Sequence, residues 1–192
     1  LLRLGIGDDG HGLEQLEEAS RELVAPGCRV RLQLERSLHP LRFPAAFQQA
    51  AAATGLNPAL LLGVARAESQ FIPAARSPVG AIGLLQLMPD TARELAGSAL
   101  NPASLESPTL NSRLGARYLD QLLEHWRGDL PAAVASYNAG SGAVAGWDPG
   151  LRQREPELWV EQIPYPETRL YVKKVLGNAW SYQRGARLGC QP

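Results

Sequence analysis

The chain has 192 residues, of which 45% are hydrophobic and 20% charged, which suits one ordinary soluble domain with a real core and some length to spare. Lysine plus arginine equals aspartate plus glutamate at 19 each, so no global charge points to nucleic acid or an anionic membrane surface. There is no apolar run of about 18 residues for a membrane span. Cys28 and Cys190 lie near opposite ends and His11, His39 and His125 are scattered, so no zinc-type ligand spacing exists. Whether the two cysteines are free or paired stays open.

Residues 1–43 read as a linker or as the end of a preceding helical domain, with an extension packed on the main domain as the equal alternative. They hold two runs of helical spacing. Leu13, Leu16, Leu23 and Val24 form the first, ended by Pro26-Gly27. Val30, Leu32, Leu34 and Leu38 form the second, ended by His39-Pro40. The chain opens at Leu1 with no visible secretion signal, which is expected of a fragment or a processed product. From residue 44 to 187 the pattern predicts one helical domain, with 188–192 as a tail. Pro44 starts a helix over Ala45 to Ala53 that stops at Gly55. Asn57-Pro58 caps another, predicted to run to about Gln70. Asp90-Thr91 is predicted to cap a short helix closing near Gly97. Asn101 to Ser107 reads as turns, and Pro108 opens a longer helix to about Trp126. Asp129-Leu130-Pro131 starts the next, which breaks at Gly140, with a short helix after it up to Gly146-Trp147. Residues 148–157 read as a loop, Glu157 to Gln162 as a short helix, and Pro166 opens a last helix to about Gln183. No stretch has strand periodicity, so the fold class is all-α, many helices joined by Gly/Pro turns.

Chemistry concentrates in four stretches. Leu61, Val64, Ala65 and Glu68 share one helix face, so Glu68 projects from an apolar stripe. Desolvation favours the neutral carboxyl group, and a carboxyl group still protonated near neutral pH is what a general acid requires. An ion pair with Arg66 or Arg76 is the structural alternative. Ser77 to Gly83 is a loop with two turn glycines, followed by Gln86 between two leucines and by Met88, the one methionine of the chain. Tyr137 and Asn138 sit where a helix meets Gly140; an aromatic face and an amide suit sugar recognition, and a helix C-cap is the plain alternative. Glu167 lies in the first turn of the last helix, with Tyr165 and Tyr171 at its edges, a pattern that also reads as helix capping with core aromatics.

Taken together and in order, Glu68-Ser69, SPVGAIGLLQLMP at Ser77 to Pro89, SYNAG at Ser136 to Gly140, and IPYPETRLYVKKVL at Ile163 to Leu176 resemble the catalytic domain of the soluble lytic murein transglycosylases. Leu85 stands where that family usually has Met, and Ser136 where Ala is usual. The resemblance implies a goose-type-lysozyme-like fold with a glycan groove and a periplasmic setting. It implies cleavage of the β-1,4 bond between N-acetylmuramic acid and N-acetylglucosamine in peptidoglycan, leaving a 1,6-anhydromuramoyl end. Glu68 would act first as acid and then as base, with no cofactor or metal. Ser77, Gln86, Met88, Tyr137, Asn138 and Glu167 would bind substrate. Tyr137 would orient Glu68 or the acetamido group, and Glu167 would face the muramoyl side or its peptide. The partners implied are glycan strands and an α-superhelical domain ahead of residue 44, to which LRFP at Leu41 to Pro44 is similar to the linker. Two alternatives stand beside this. One is a hydrolase of the same fold, for which Asp90 and Glu94 are the nearest second carboxylates. The other is a non-catalytic glycan-binding domain.

Overall fold

The computed structural model describes residues 27–185 together with 18 and 20. Of the expected helix over Leu13 to Val24 only Glu18 and Ser20 are described, and the tail from 188, with Cys190, lies outside those residues. The described residues form α-helices joined by short turns: α1 (Cys28–Leu38), α2 (Pro44–Thr54), α3 (Pro58–Ser69), α4 (Pro89–Ala96), a 3-10 turn (Pro102–Glu106), α5 (Pro108–His125), α6 (Leu130–Ala139), α7 (Ser141–Ala145), α8 (Pro149–Arg154), α9 (Pro156–Glu161) and α10 (Pro166–Gly185). Among them the only β features are two isolated bridges, Arg76 with Ile82 and Ile82 with Leu87.

The helix boundaries follow from cap chemistry. Asn57 accepts from the Ala59 N–H at 2.9 Å and Pro58 fills the first helical position, where no N–H is needed. Asp129 accepts from the Ala132 N–H at 3.1 Å, and Gly55 and Gly97 close α2 and α4 in the left-handed conformation. Two boundaries differ from the sequence expectation. The residue capping α4 is Met88, and Asp90 lies inside the first turn, because Pro89 takes the first helical position. The stretch 148–157 is not a loop. Asp148 accepts from the Leu151 N–H at 2.9 Å, Pro149 and Pro156 start two short helices, and Leu151 and Trp159 anchor them in the core. Single turns of helix are marginal alone, so burial of these two side chains is what holds them.

α3 lies at the centre and packs most extensively on α10, while α2 packs on α5. The α3–α10 crossing is close at Gly63, where a Cβ would come within 2.8 Å of the Val175 carbonyl oxygen. The main core gathers Phe47, Leu61, Val64, Leu119, Val134 and Val172 around these helices. A second apolar cluster, including Ile82, Leu87, Leu95, Leu105 and Leu114, joins the 82–87 loop to α4, the 3-10 turn and α5. α1 rests on the far end of α10: Tyr182 donates to the Pro40 carbonyl at 3.3 Å, and its ring meets His39 edge-on at 5.3 Å.

Candidate active site

Glu68 sits in the last turn of α3, one residue before the helix ends. Its stripe neighbours Leu61, Val64 and Ala65 are all buried. Burial raises its pKa from 4.5 to about 7; the negative charge of Glu167 adds to the rise, and a hydrogen bond from Tyr171 opposes it. That bond runs from the Tyr171 hydroxyl to Glu68 Oε1 at 2.6 Å. The ion-pair alternative does not describe this group. Arg76 is held by Glu106 at 2.6 Å, and neither Arg76 nor Arg66 is among the groups that shift Glu68.

The loop beside the acid is fixed by side chains from three helices. Ser69 donates to the Leu84 carbonyl at 2.8 Å, and Tyr137 donates to the Leu85 carbonyl at 2.8 Å. Asn111, fully buried on α5, accepts from the Leu85 N–H at 2.7 Å and donates to the Ile82 and Leu105 carbonyls at 2.9 Å each. Gly83 completes this knot. Its φ is +88°, and a Cβ there would collide with the Asn111 amide and the Leu105 carbonyl. A loop pinned at four successive positions holds Gln86 and Met88 on a rigid backbone.

The residues singled out from sequence fall into two groups. Ser77, Gln86 and Met88 belong to the pinned loop. The Ser77 hydroxyl accepts from the Ala81 N–H at 2.9 Å, and the Gln86 amide donates to the Ala75 and Gly83 carbonyls at 3.1 and 2.9 Å. Gln86 is held at φ +44°, a conformation that these two bonds help stabilise, and Met88 is 41% exposed. Tyr137, Asn138 and Glu167 gather on the α6–α10 side. Asn138 Oδ1 accepts from the Thr168 hydroxyl at 2.7 Å, joining the end of α6 to the start of α10. An open depression of about 390 Å³ lies there, lined by Asn138, Ala139, Tyr165, Pro166, Glu167 and Thr168.

The phenol that touches the acid is Tyr171. The Tyr137 hydroxyl is committed to the Leu85 carbonyl, although it too feels the charge of Glu68. Burial and that charge push both phenols well above the ordinary range, so each remains a protonated donor. The carboxylate that acts on Glu68 is Glu167, exposed at the start of α10. Asp90 is exposed and paired with Arg93 on α4, and Glu94 is exposed on the same helix. Sequence reasoning placed Tyr171 at a helix edge without linking it to Glu68, and it missed Asn111. The signal for Tyr171 was its place one turn beyond Glu167 and Thr168. For Asn111 it was an amide at the same helical spacing as Leu114 and Gly115. Ser136, where the resembled family usually has Ala, is fully buried and accepts from the Trp126 indole N–H at 2.7 Å.

The described residues form an all-α bundle with a desolvated carboxyl group at the end of its central helix, and comparison with solved structures shows that the fold is lysozyme-like. A profile described as the transglycosylase SLT domain matches residues 45–160, and the chain belongs to that family. It is 34% identical over 143 residues to a soluble lytic murein transglycosylase of Salmonella typhimurium, covering 71% of this chain and 22% of that protein. The same-named protein of Escherichia coli K12 is 34% identical over 144 residues with the same coverage. Among solved structures, an inactive glutamate-to-glutamine mutant of the lytic transglycosylase Slt from Pseudomonas aeruginosa superposes with a TM-score of 0.76 at 33% identity, covering 95% of this chain and 31% of that one. A 70-kDa soluble lytic transglycosylase in complex with bulgecin A gives 0.72 at 31% identity, covering 79% and 25%. The chain thus spans about a fifth of the length of the curated relatives it matches.

Proposed function

We propose that this chain is the catalytic unit of a peptidoglycan lytic transglycosylase of the bacterial periplasm. It cleaves the β-1,4 bond between N-acetylmuramic acid and N-acetylglucosamine and leaves a 1,6-anhydromuramoyl end. The observation that carries the reading is Glu68, a single desolvated carboxyl group with a pKa of about 7 that accepts a hydrogen bond from Tyr171. A group poised there has both its acid and its base form within reach near neutral pH. Family membership and the printed names of the relatives support the substrate class.

In the first step Glu68 gives its proton to the glycosidic oxygen as the C1–O bond breaks, and the N-acetylglucosamine part leaves as an alcohol. The substrate's own N-acetyl oxygen closes on C1 and stabilises the positive charge. In the second step the Glu68 carboxylate takes the proton of the muramoyl C6 hydroxyl while O6 attacks C1 and expels the N-acetyl oxygen. Glu68 ends protonated, as it began, and no water is consumed. Tyr171 stabilises the carboxylate between the steps. Ser77, Gln86, Met88, Tyr137 and Asn138 bind the glycan along the groove, and Glu167 faces the muramoyl side.

A hydrolase reading would assign Glu167 to activate water, since its charge is felt by Glu68. The test is digestion of purified sacculi by the wild type and by Glu68→Gln, with mass analysis of the released ends. Ends one water lighter than reducing ends, absent with Glu68→Gln, are expected. Reducing ends would overturn the proposal in favour of hydrolysis, and undiminished release by Glu68→Gln would remove Glu68 from the mechanism.

A further inference from the structure

A hollow of about 240 Å³ lies on the seam between α4 and α5 and shares no residue with the site around Glu68. Leu95, Ala96 and Leu114 line it, and Arg113 and Arg117 complete its wall. Leu95 and Leu114 belong to the second apolar cluster, so the floor is part of a packed core. Both arginines are exposed. Arg117 donates through Nη1 to the Leu95 carbonyl at 2.8 Å, in the last turn of α4, which holds its guanidinium at the rim.

Arg113 and Arg117 are four residues apart on α5, so they are neighbours on the helix surface, where like charges repel. Holding the α4 carbonyl accounts for Arg117 and leaves Arg113 without a structural role. No carboxylate offsets the pair from within the helix. The positions three and four residues either side of Arg113 are Thr109, Leu110, Ala116 and Arg117. Asp120, three residues beyond Arg117, makes no ion pair with it, and across the seam Asp90 is taken by Arg93. Among the described residues Arg113 has no hydrogen bond or ion pair. Two guanidiniums over an apolar floor suit a carboxylate on a short aliphatic arm. Their planar forks take the oxygens, and the arm covers Leu95, Ala96 and Leu114.

Size and place select the bearer of that carboxylate. The hollow is smaller than the roughly 300–1,000 Å³ of sites for drug-sized ligands, so it takes a single residue and not a length of folded protein. α4 begins directly after Met88, which the reading above places on the groove. Leu95 is six residues along from Pro89, roughly 9 Å at 1.5 Å per residue. Three extended peptide residues span about 10 Å. We propose that Arg113 and Arg117 form a binding site for a free carboxylate of the short acidic peptide that peptidoglycan carries on its muramoyl residues. The proposal rests on the peptidoglycan reading above and adds to it a site for the peptide outside the glycan groove.

The test titrates a stem tripeptide freed from glycan, and the same tripeptide with its carboxylates amidated, into the isotope-labelled chain followed by NMR. The free acid is expected to shift the backbone amides of Leu95 to Gly97 and the side-chain signals of Arg113 and Arg117. The amidated form is expected to leave them in place. Arg113→Gln, at an exposed position with no described partner to lose, is expected to weaken binding of the free acid about tenfold, and Arg113→Lys to recover only part of that loss. Equal shifts with both peptides, no shift with either, or an affinity unchanged in Arg113→Gln overturns the site. A triglutamate peptide that binds as tightly overturns its assignment to the stem peptide. The titration reads binding without turnover, so its failure leaves the Glu68 chemistry standing, and the digestion of sacculi succeeds or fails independently of it.

Discussion

The Tyr171 hydroxyl donates to Glu68 Oε1 at 2.6 Å across the α3–α10 crossing, and it is a bond that favours the carboxylate. Burial works in the opposite direction and is the larger effect. The acid is therefore set between two opposed influences, and each can be removed separately.

Replacing Tyr171 by Phe removes the influence that lowers the pKa, so Glu68 should titrate above about 7. The alkaline limb of kcat/KM, where the general acid loses its proton, is expected to move to higher pH. The rate below that limb should fall about tenfold, because the carboxylate formed between the two steps loses a charge-assisted bond. A pH–rate profile on a soluble glycan substrate checks both. A limb that moves to lower pH would show that the bond favours the protonated form.

Glu167→Gln should act with the opposite sign. It removes a negative neighbour that raises the Glu68 pKa, so the alkaline limb is expected to shift to lower pH. A pH profile measured alongside Tyr171→Phe distinguishes the two electrostatic roles. An unmoved limb would mean that the Glu167 charge does not reach the acid.

Glu68 also links stability to pH. Its folded pKa of about 7 lies above the ordinary 4.5, so the folded state holds the proton more tightly than the unfolded chain does. Stability contributed this way is full at pH below 4.5 and is lost as pH rises to 7, to a total of about 3 kcal/mol. Glu68→Gln carries no charge to bury. It is expected to match the wild type near pH 4 and to exceed it by up to ~3 kcal/mol at pH 8. Urea denaturation at the two pH values measures this, and equal stability at pH 8 would contradict the burial of the group.

Asn111→Ala should loosen the pinned loop without touching substrate. It leaves the buried Leu85 N–H and the Leu105 carbonyl without their amide partner, at a cost of about 3 kcal/mol. Gly83→Ala attacks the same knot from the other side, through its positive φ and the collision with Asn111. Both variants are expected to lower the denaturation midpoint and to raise KM, since Gln86 and Met88 ride on that loop. Unchanged midpoints would show that the loop does not depend on Asn111.

Much of the fold was legible because its punctuation is chemical. Asn57-Pro58, Gly55, Gly97 and Asp129 mark helix ends through bonds made within a few residues, which a sequence displays directly. The helix expected over Glu157 to Gln162 is found at Pro156–Glu161, whereas the one at Pro149–Arg154 escaped notice because its local composition is that of a loop and its stability comes from Leu151 reaching the core. The burial of Glu68 was legible from its apolar stripe, since helical spacing is local. Its tyrosine partner was not, because Tyr171 lies 103 residues away and is brought in by the α3–α10 crossing. Asn111 escaped for the same reason: its carbonyl partners, Ile82 and Leu105, come from separate turns.

The central claim is that one carboxyl group moves both protons and that the muramoyl C6 hydroxyl replaces water as the nucleophile. Digesting purified sacculi in heavy-oxygen water and weighing the new ends tests it most directly. The account predicts anhydro ends that carry no label from solvent. New reducing ends bearing one heavy oxygen would contradict it.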